Sequence, residues 1–296
     1  AAAGLFRRAI LESGAASTVD GTERATEVAQ KFLAAVGCEV GELRDVPAAE
    51  LLAAQEAIAG SLDEGLNFVP VIDGVVLPDA PLARLRDGSA AGVDVLIGTN
   101  ADEMTMFLLL EPALAQLSPE GFGARIDAPF ADKGLAPGTA DATYRQRLGD
   151  ATPTEVLTAV AGDQTFRIPA IRLAEAQVAA GGAAWMYLFT YPSPAAGGML
   201  KSSHALEIPF AWDNLDAAGV ALFAGEVGES HRALATAMAD AWVAFATEGL
   251  PAAVGLPDWP AYDTERRATM RLDVGASEVL DDPWGPERAL WDGLDP

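Results

Sequence analysis

Two histidines, His204 and His231, are all that 296 residues contain. Imidazole is the one side chain whose ordinary proton affinity falls near neutral pH, so acid–base chemistry here would draw on one of them. His204 lies in K-S-S-H-A-L-E-I-P-F (residues 201–210), where a short polar run delivers the ring after a strand and a loop. Glu207 and Pro209 interrupt the apolar series behind it. His231 follows Ser230 at the start of a strongly patterned helix and reads as a solvated first-turn residue. Glu103 stands just after a nearly continuous apolar run, V-D-V-L-I-G-T (93–99). In open α/β sheets, catalytic groups collect beyond the carboxyl ends of strands, which is where this carboxylate falls. Its neighbour Asp102 better fits a first-turn acid that favours the helix dipole.

The elements that must position these groups follow from periodicity. The run 93–99 is what a strand buried on both faces of a parallel sheet looks like. A-W-M-Y-L-F-T-Y (184–191) is a second, aromatic-rich buried strand, and residues 192–203 lead from its end to His204. Ala9 to Leu11, bounded by Ser13-Gly14, reads as a short buried strand. Helices are expected over 21–36, capped by Asp20 or Thr22 and stopped by Gly37, and over 47–58, with proline in the first turn. F-V-P-V-I-D-G-V-V-L (68–77) reads as two β runs around an Asp73-Gly74 turn, with a short helix at 82–86. Residues 112–153 are rich in Pro, Gly and Ala and suggest lid-like or peripheral helices. A helix over 154–180 should be kinked or split by Pro169. The strongest helix is 230–247, capped by Ser230 and ended by Gly249 and Pro251. Residues 268–273 suggest an edge strand.

The net charge of −24 and pI near 4.2 argue against nucleic acid and anionic membrane surfaces as partners. Runs such as 93–97 and 107–110 are far too short to span a bilayer. The single Cys38 excludes an internal disulfide and a Cys-based zinc site, and two distant histidines make a His-rich metal site unexpected. No metal or cofactor is implied. The alternation of strands and helices gives one α/β layer architecture over 1–296.

A histidine and a glutamate after buried strands form two thirds of a hydrolase triad, in the acid-then-histidine order of α/β-hydrolases. The nucleophile should precede Glu103 on a G-x-S-x-G elbow, and the sequence contains no such motif. Residues 88–92 (G-S-A-A-G) have the wrong spacing, and Glu12-Ser13-Gly14 lacks the preceding glycine.

Five segments, in order, resemble the type B carboxylesterases, which include the cholinesterases and para-nitrobenzyl esterases. They are G-L-F-R-R-A-I-L-E-S-G (4–14), F-V-P-V-I-D-G-V-V-L-P (68–78), I-G-T-N-A-D-E (97–103), H-A-L-E-I-P-F (204–210) and D-W-P-A-Y (258–262). Met104 stands where glycine is usual, and Ser203 replaces the small residue before the histidine. The resemblance implies the C-terminal part of an α/β-hydrolase domain, with the N-terminal strands, elbow serine and oxyanion strip upstream of Ala1. It implies Glu103 as triad acid, His204 as general base, and Ser13 as a hydrogen-bonding serine near the triad. A small-molecule ester is the implied substrate, and the N-terminal half of the same domain, covalent or separate, the implied partner.

On that reading the chain alone is expected to be inactive, and unstable or aggregating without that half. Phe107, Leu108, Phe210 and Trp212 suit an uncharged ester and equally suit a core. The alanine-rich composition suggests a bacterial protein, with the cytoplasm the expected compartment and export left open by the missing N terminus. The competing class is a non-catalytic binding or adhesion protein on the same fold, against which the retained pair of Glu103 and His204 weighs.

Overall fold

Seven residues, Asp94–Asn100 (β4), form an internal strand of the sheet, and six of them are buried. No residue in the run carries a charge after Asp94, so both faces can be covered without stranding an ion. The computed structural model describes residues 4–59, 66–109 and 111–294. Leu110, the last residue of the 107–110 run, lies outside them. In the described chain β4 pairs in parallel with Arg8–Leu11 (β1) on one side and Ala184–Phe189 (β5) on the other. Ala268–Leu272 (β6) adds to β5 in parallel, and Glu278–Asp281 (β7) closes the order β1-β4-β5-β6-β7 antiparallel. The expected edge strand at 268–273 is therefore internal, because β7 takes up its outer hydrogen bonds.

Strand alternation divides the core in two. Val95, Ile97, Ala184 and Met186 join one buried cluster; Leu96, Trp185, Tyr187 and Phe189 join the other. The first is covered by Pro153–Gly162 (α7) and Ile168–Ala179 (α8), with Thr105–Leu109 (α4), Pro119–Asp127 (α5) and Thr139–Leu148 (α6) beyond. The second is covered by Ile208–Ala211 (α9), Val220–Ala224 (α10) and Glu229–Glu248 (α11), whose Leu234, Met238, Ala241, Trp242 and Phe245 face the sheet. Gly98 is opposite Tyr187 in register, and a Cβ there would enter the tyrosine ring. The glycine permits that close approach.

The expected break at Pro169 takes the form of a π-turn, Asp163–Arg167, between α7 and α8. The Ile168 N–H reaches back five residues to the Asp163 carbonyl, and the helical path continues across a residue that has no N–H of its own. The expected Ser230 cap is corrected. Gly228 occupies the N-cap of α11, and its N–H donates to His231 Nδ1 at 3.1 Å. Gly249 ends α11 in the left-handed conformation as expected. The last helix among the described residues is Gly285–Leu290 (α12).

Two compact units are distinguished, Thr18–Ala83 and Ala2–Ser17 with Arg84–Pro296; everything above belongs to the second. In the first, Asp20–Gly21 (β2) pairs in parallel with Val71–Ile72 (β3), beside helices Thr22–Val36 (α1) and Ala48–Ala57 (α2). Gly21, not Asp20 or Thr22, is the N-cap of α1, with no side-chain bond, while Gly37 is the left-handed stop. Pro47 caps α2 from just outside its first turn. The hairpin expected at 68–77 does not form. Asp73 Oδ1 accepts the N–H groups of Val75, Val76 and Leu77 at 2.8–3.0 Å, and so turns the chain away from strand pairing. The helix Pro81–Arg86 (α3) follows. Among the described residues no helix is long and apolar enough to cross a membrane.

Candidate active site

Parallel pairing brings the carboxyl ends of β1, β4 and β5 to one edge of the sheet. Ser13 follows β1, Glu103 follows β4, and the segment after β5 returns to the same edge with His204. That return is clasped by the backbone. The Ala101 N–H and the Ser202 hydroxyl both donate to the Phe189 carbonyl at 2.9 Å. The Asp102 N–H donates to the Ser202 carbonyl at 2.9 Å, and the Ser202 N–H to the Asp102 carboxylate at 3.2 Å. Asp102 thus holds the histidine loop, a role distinct from the first-turn acid expected of it. Further out, Lys201 Nζ meets Glu155 at the start of α7 at 2.7 Å.

The structure brings all three expected site residues together. His204 Nδ1 lies 2.7 Å from Glu103 Oε2, and His204 Nε2 lies 3.5 Å from the Ser13 hydroxyl. A carboxylate can only accept, so Nδ1 carries the proton and Nε2 in the neutral ring is left as an acceptor. The other Glu103 oxygen, Oε1, accepts the Asn100 N–H at 2.7 Å. Glu103 is 3% exposed at its side chain against 22% for His204, so the acid is enclosed while the imidazole keeps an outward edge. Ala205, next in the chain, has φ of 70°. A non-glycine residue held there costs about 1 kcal/mol or more, which the surrounding hydrogen bonds must offset.

The hydrogen bond to Glu103 raises the proton affinity of His204 above its ordinary value; burial opposes this, and the charges of Glu103 and Glu207 add to it. Glu207, which interrupts the apolar series in the sequence, is 2% exposed and accepts from the Asn100 side-chain amide. Burial pushes its carboxyl up to about 7; the Asn100 bond opposes, and the charges of Glu103 and Glu12 reinforce it. Glu12 in turn accepts the Trp242 indole N–H at 2.6 Å. Neither Asn100 nor Glu207 stands out from sequence alone. Asn100 belongs to the acid motif, and a buried glutamate looks like any charge in a helical series.

Two aromatic rings flank the imidazole: Phe166, from the π-turn, at 4.7 Å between centroids, and Phe107, from α4, at 5.7 Å. Of the four apolar residues singled out in the sequence, Phe107 thus stands beside His204. Leu108 and Phe210 belong to the core, and Trp212 is 72% exposed. His231 is not a freely solvated residue. With Nδ1 accepting from Gly228, its Nε2 meets the Tyr191 hydroxyl at 3.0 Å, and Tyr191 donates to the Ala224 carbonyl at 2.8 Å. Burial lowers its proton affinity, the opposite of His204. Among the described residues no group of three or more His, Cys, Asp or Glu side chains is placed to hold a metal ion.

A sequence profile described as "Carboxylesterase family" matches residues 1–288. The para-nitrobenzyl esterase of Bacillus subtilis (strain 168) is 34% identical over 295 residues, covering 97% of this chain and 57% of that protein. The fumonisin B1 esterase of Sphingopyxis macrogoltabida is 31% identical over 256 residues, covering 83% of this chain and 45% of its own. Among solved structures, Geobacillus stearothermophilus carboxylesterase EST55 at pH 6.2 superposes with a TM-score of 0.81 at 36% identity, over 98% of this chain and 59% of that one. The chain spans about half the length of the curated relatives it matches.

Proposed function

Because the chain belongs to the carboxylesterase family and has its α/β-hydrolase fold, we propose that it supplies the acid and the base of a Ser-Glu-His esterase triad. The nucleophilic serine and the oxyanion donors come from a portion N-terminal to residue 1. The observation that carries this reading is the orientation of His204. Its Nδ1 is spent on an enclosed carboxylate, and its Nε2 faces the sheet edge where β1 and β4 end.

In the complete site His204 Nε2 takes the proton of the serine hydroxyl as the oxygen attacks an ester carbonyl. Backbone N–H donors stabilise the oxyanion, each contributing roughly 3–4 kcal/mol. The imidazolium, stabilised by Glu103, then protonates the departing alcohol. A water deprotonated by the same nitrogen releases the acid and regenerates the serine. Ser13 lies within reach of Nε2 and helps to hold the ring between transfers. Phe107 and Phe166 make the approach apolar, which suits an uncharged carboxylic ester and disfavours an anionic one.

Fluorophosphonate labelling of the native protein, with the adduct located by mass spectrometry, tests the proposal. The expected result is one adduct on a serine N-terminal to residue 1, lost in a His204→Ala variant. A folded protein that includes such a segment and takes no adduct would instead be a binding protein on this fold.

A further inference from the structure

We propose that Asn100 is a positioning residue that couples the acid loop to the histidine loop, so that the Glu103–His204 bond is set by the end of β4. Three of its N–H hydrogens act in three directions. Its backbone N–H holds Glu103 Oε1 at 2.7 Å. One hydrogen of its side-chain amide reaches the carbonyl of Ser203, the residue before His204, at 2.8 Å. The other reaches Glu207, three residues after His204. A single residue therefore fixes the carboxylate and brackets the imidazole from both sides in sequence.

The placement is a rigid one. Asn100 is 2% exposed and is the last residue of β4, paired in register with Phe189 of β5. Its amide oxygen is buried without a hydrogen-bond partner, a loss that a buried amide tolerates only where its other contacts hold it in place. Backbone bonds also join the two loops, Asp102 N–H to the Ser202 carbonyl at 2.9 Å and His204 N–H to the Glu103 carbonyl at 3.3 Å, and the Asn100 amide adds the ties that sit on either side of His204, at Ser203 and Glu207. Substitution by an apolar side chain of similar size leaves the Asn100 N–H on Glu103 and removes both ties to the histidine loop. The groups facing His204 are then Glu103, Glu207 and the Ser13 hydroxyl, with the Phe107 and Phe166 rings.

The inference rests on the reading of His204 and Glu103 as base and acid, but its test does not need turnover. The imidazole titrations of His204 and His231 are followed by NMR in the native protein, each assigned by its loss in His204→Gln or His231→Gln, and His231 reports on the intact fold. In Asn100→Leu, the proton affinity of His204 should fall about threefold or more as the Glu103 bond loosens. The downfield Nδ1–H resonance of His204 should broaden or vanish while the His231 titration stays in place. Glu207→Gln retains an acceptor for the Asn100 amide and should keep that resonance. An unchanged His204 titration and resonance in Asn100→Leu, with His231 unaltered, would overturn the proposal. If Asn100→Leu does not fold, Asn100→Ser, too short to make either tie, decides by the same two readings. Failure of fluorophosphonate labelling with a normal Asn100 result would remove the esterase reading and leave this coupling standing.

Discussion

The second unit contains two buried clusters of charged and polar side chains, and they are built on opposite rules. At the π-turn, Arg167 donates to both oxygens of Asp163 at 2.6 and 2.7 Å, and Arg147 to both oxygens of Glu287 at 2.8 and 3.0 Å. Tyr144 donates to Asp163, Trp291 donates to Tyr144, and the two guanidiniums lie over the Trp284 ring at 4.0 and 5.0 Å. Two cations meet two anions, and each carboxylate oxygen has a donor. Burial lowers the proton affinity of Arg167, but the charge of Asp163 and its hydrogen bonds outweigh this and hold it above the ordinary value. At the sheet edge Glu103 and Glu207 act on one imidazole and Glu12 acts in turn on Glu207, with an amide and an indole as donors. That cluster is acid-rich, and His204 Nε2 keeps only a 3.5 Å contact. In the first cluster every carboxylate oxygen is taken up by a donor; in the second, the acceptor nitrogen of His204 is left with one long contact. The difference is why the proposed chemistry is placed at the second.

The largest expected effect comes from opening the closed cluster. Arg167→Met strands Asp163 and weakens the surroundings of Glu287, and it should cost about 3–5 kcal/mol in urea unfolding of the native protein. A loss under 1 kcal/mol would show that the cluster is less closed than its geometry. Next is Glu207. Its folded-state carboxyl titrates near 7 against an ordinary 4.5, so its contribution is complete below 4.5 and is lost as pH rises through about 7. The amount is about 3 kcal/mol, and Glu207→Gln should remove that part of the stability–pH curve. The raised value of His204 acts in the same direction, with stability present below 6.5 and lost as pH rises through its folded midpoint. That component should survive in Glu207→Gln.

A smaller effect sharpens the contrast at His204 itself. Glu103→Gln removes the negative charge beside Nδ1 and leaves a neutral acceptor, so burial is opposed only by that weaker bond and by Glu207. Its NMR midpoint should fall to 6.5 or below. The least effect is expected from the exposed Glu155–Lys201 pair, with side chains 37% and 36% exposed. Lys201→Met should cost at most about 1 kcal/mol by thermal unfolding. Glu155, held near 2 chiefly by its bond to Lys201, gives stability present above 4.5 and lost as pH falls through about 2.

How much of this was legible in the sequence depended on whether local signals outweighed distant ones. β4 and β5 were readable because a run covered on both faces must be apolar throughout. The path of α7 and α8 was readable at Pro169, although only the structure shows a π-turn in place of a break. The hairpin at 68–77 was misread because the Asp73 carboxylate outcompetes a partner strand for three N–H groups. The edge position of β6 was misread because β7, four residues with no buried member, lacks an apolar signature. At the site, Glu103, His204 and Ser13 came from motifs that sit at strand ends. Glu207 and Asn100 stayed hidden because their meaning lies in a contact across more than 100 positions of chain.

The most direct test of the account is the pH dependence of kcat/KM for a neutral p-nitrophenyl ester in the native protein, alongside the NMR titration of His204. The rising limb should share its midpoint with His204, above 6.5, and should move to lower pH in Glu103→Gln. Absence of hydrolysis, or a limb that ignores both His204 and the loss of Glu103, would contradict the assignment of this pair as base and acid.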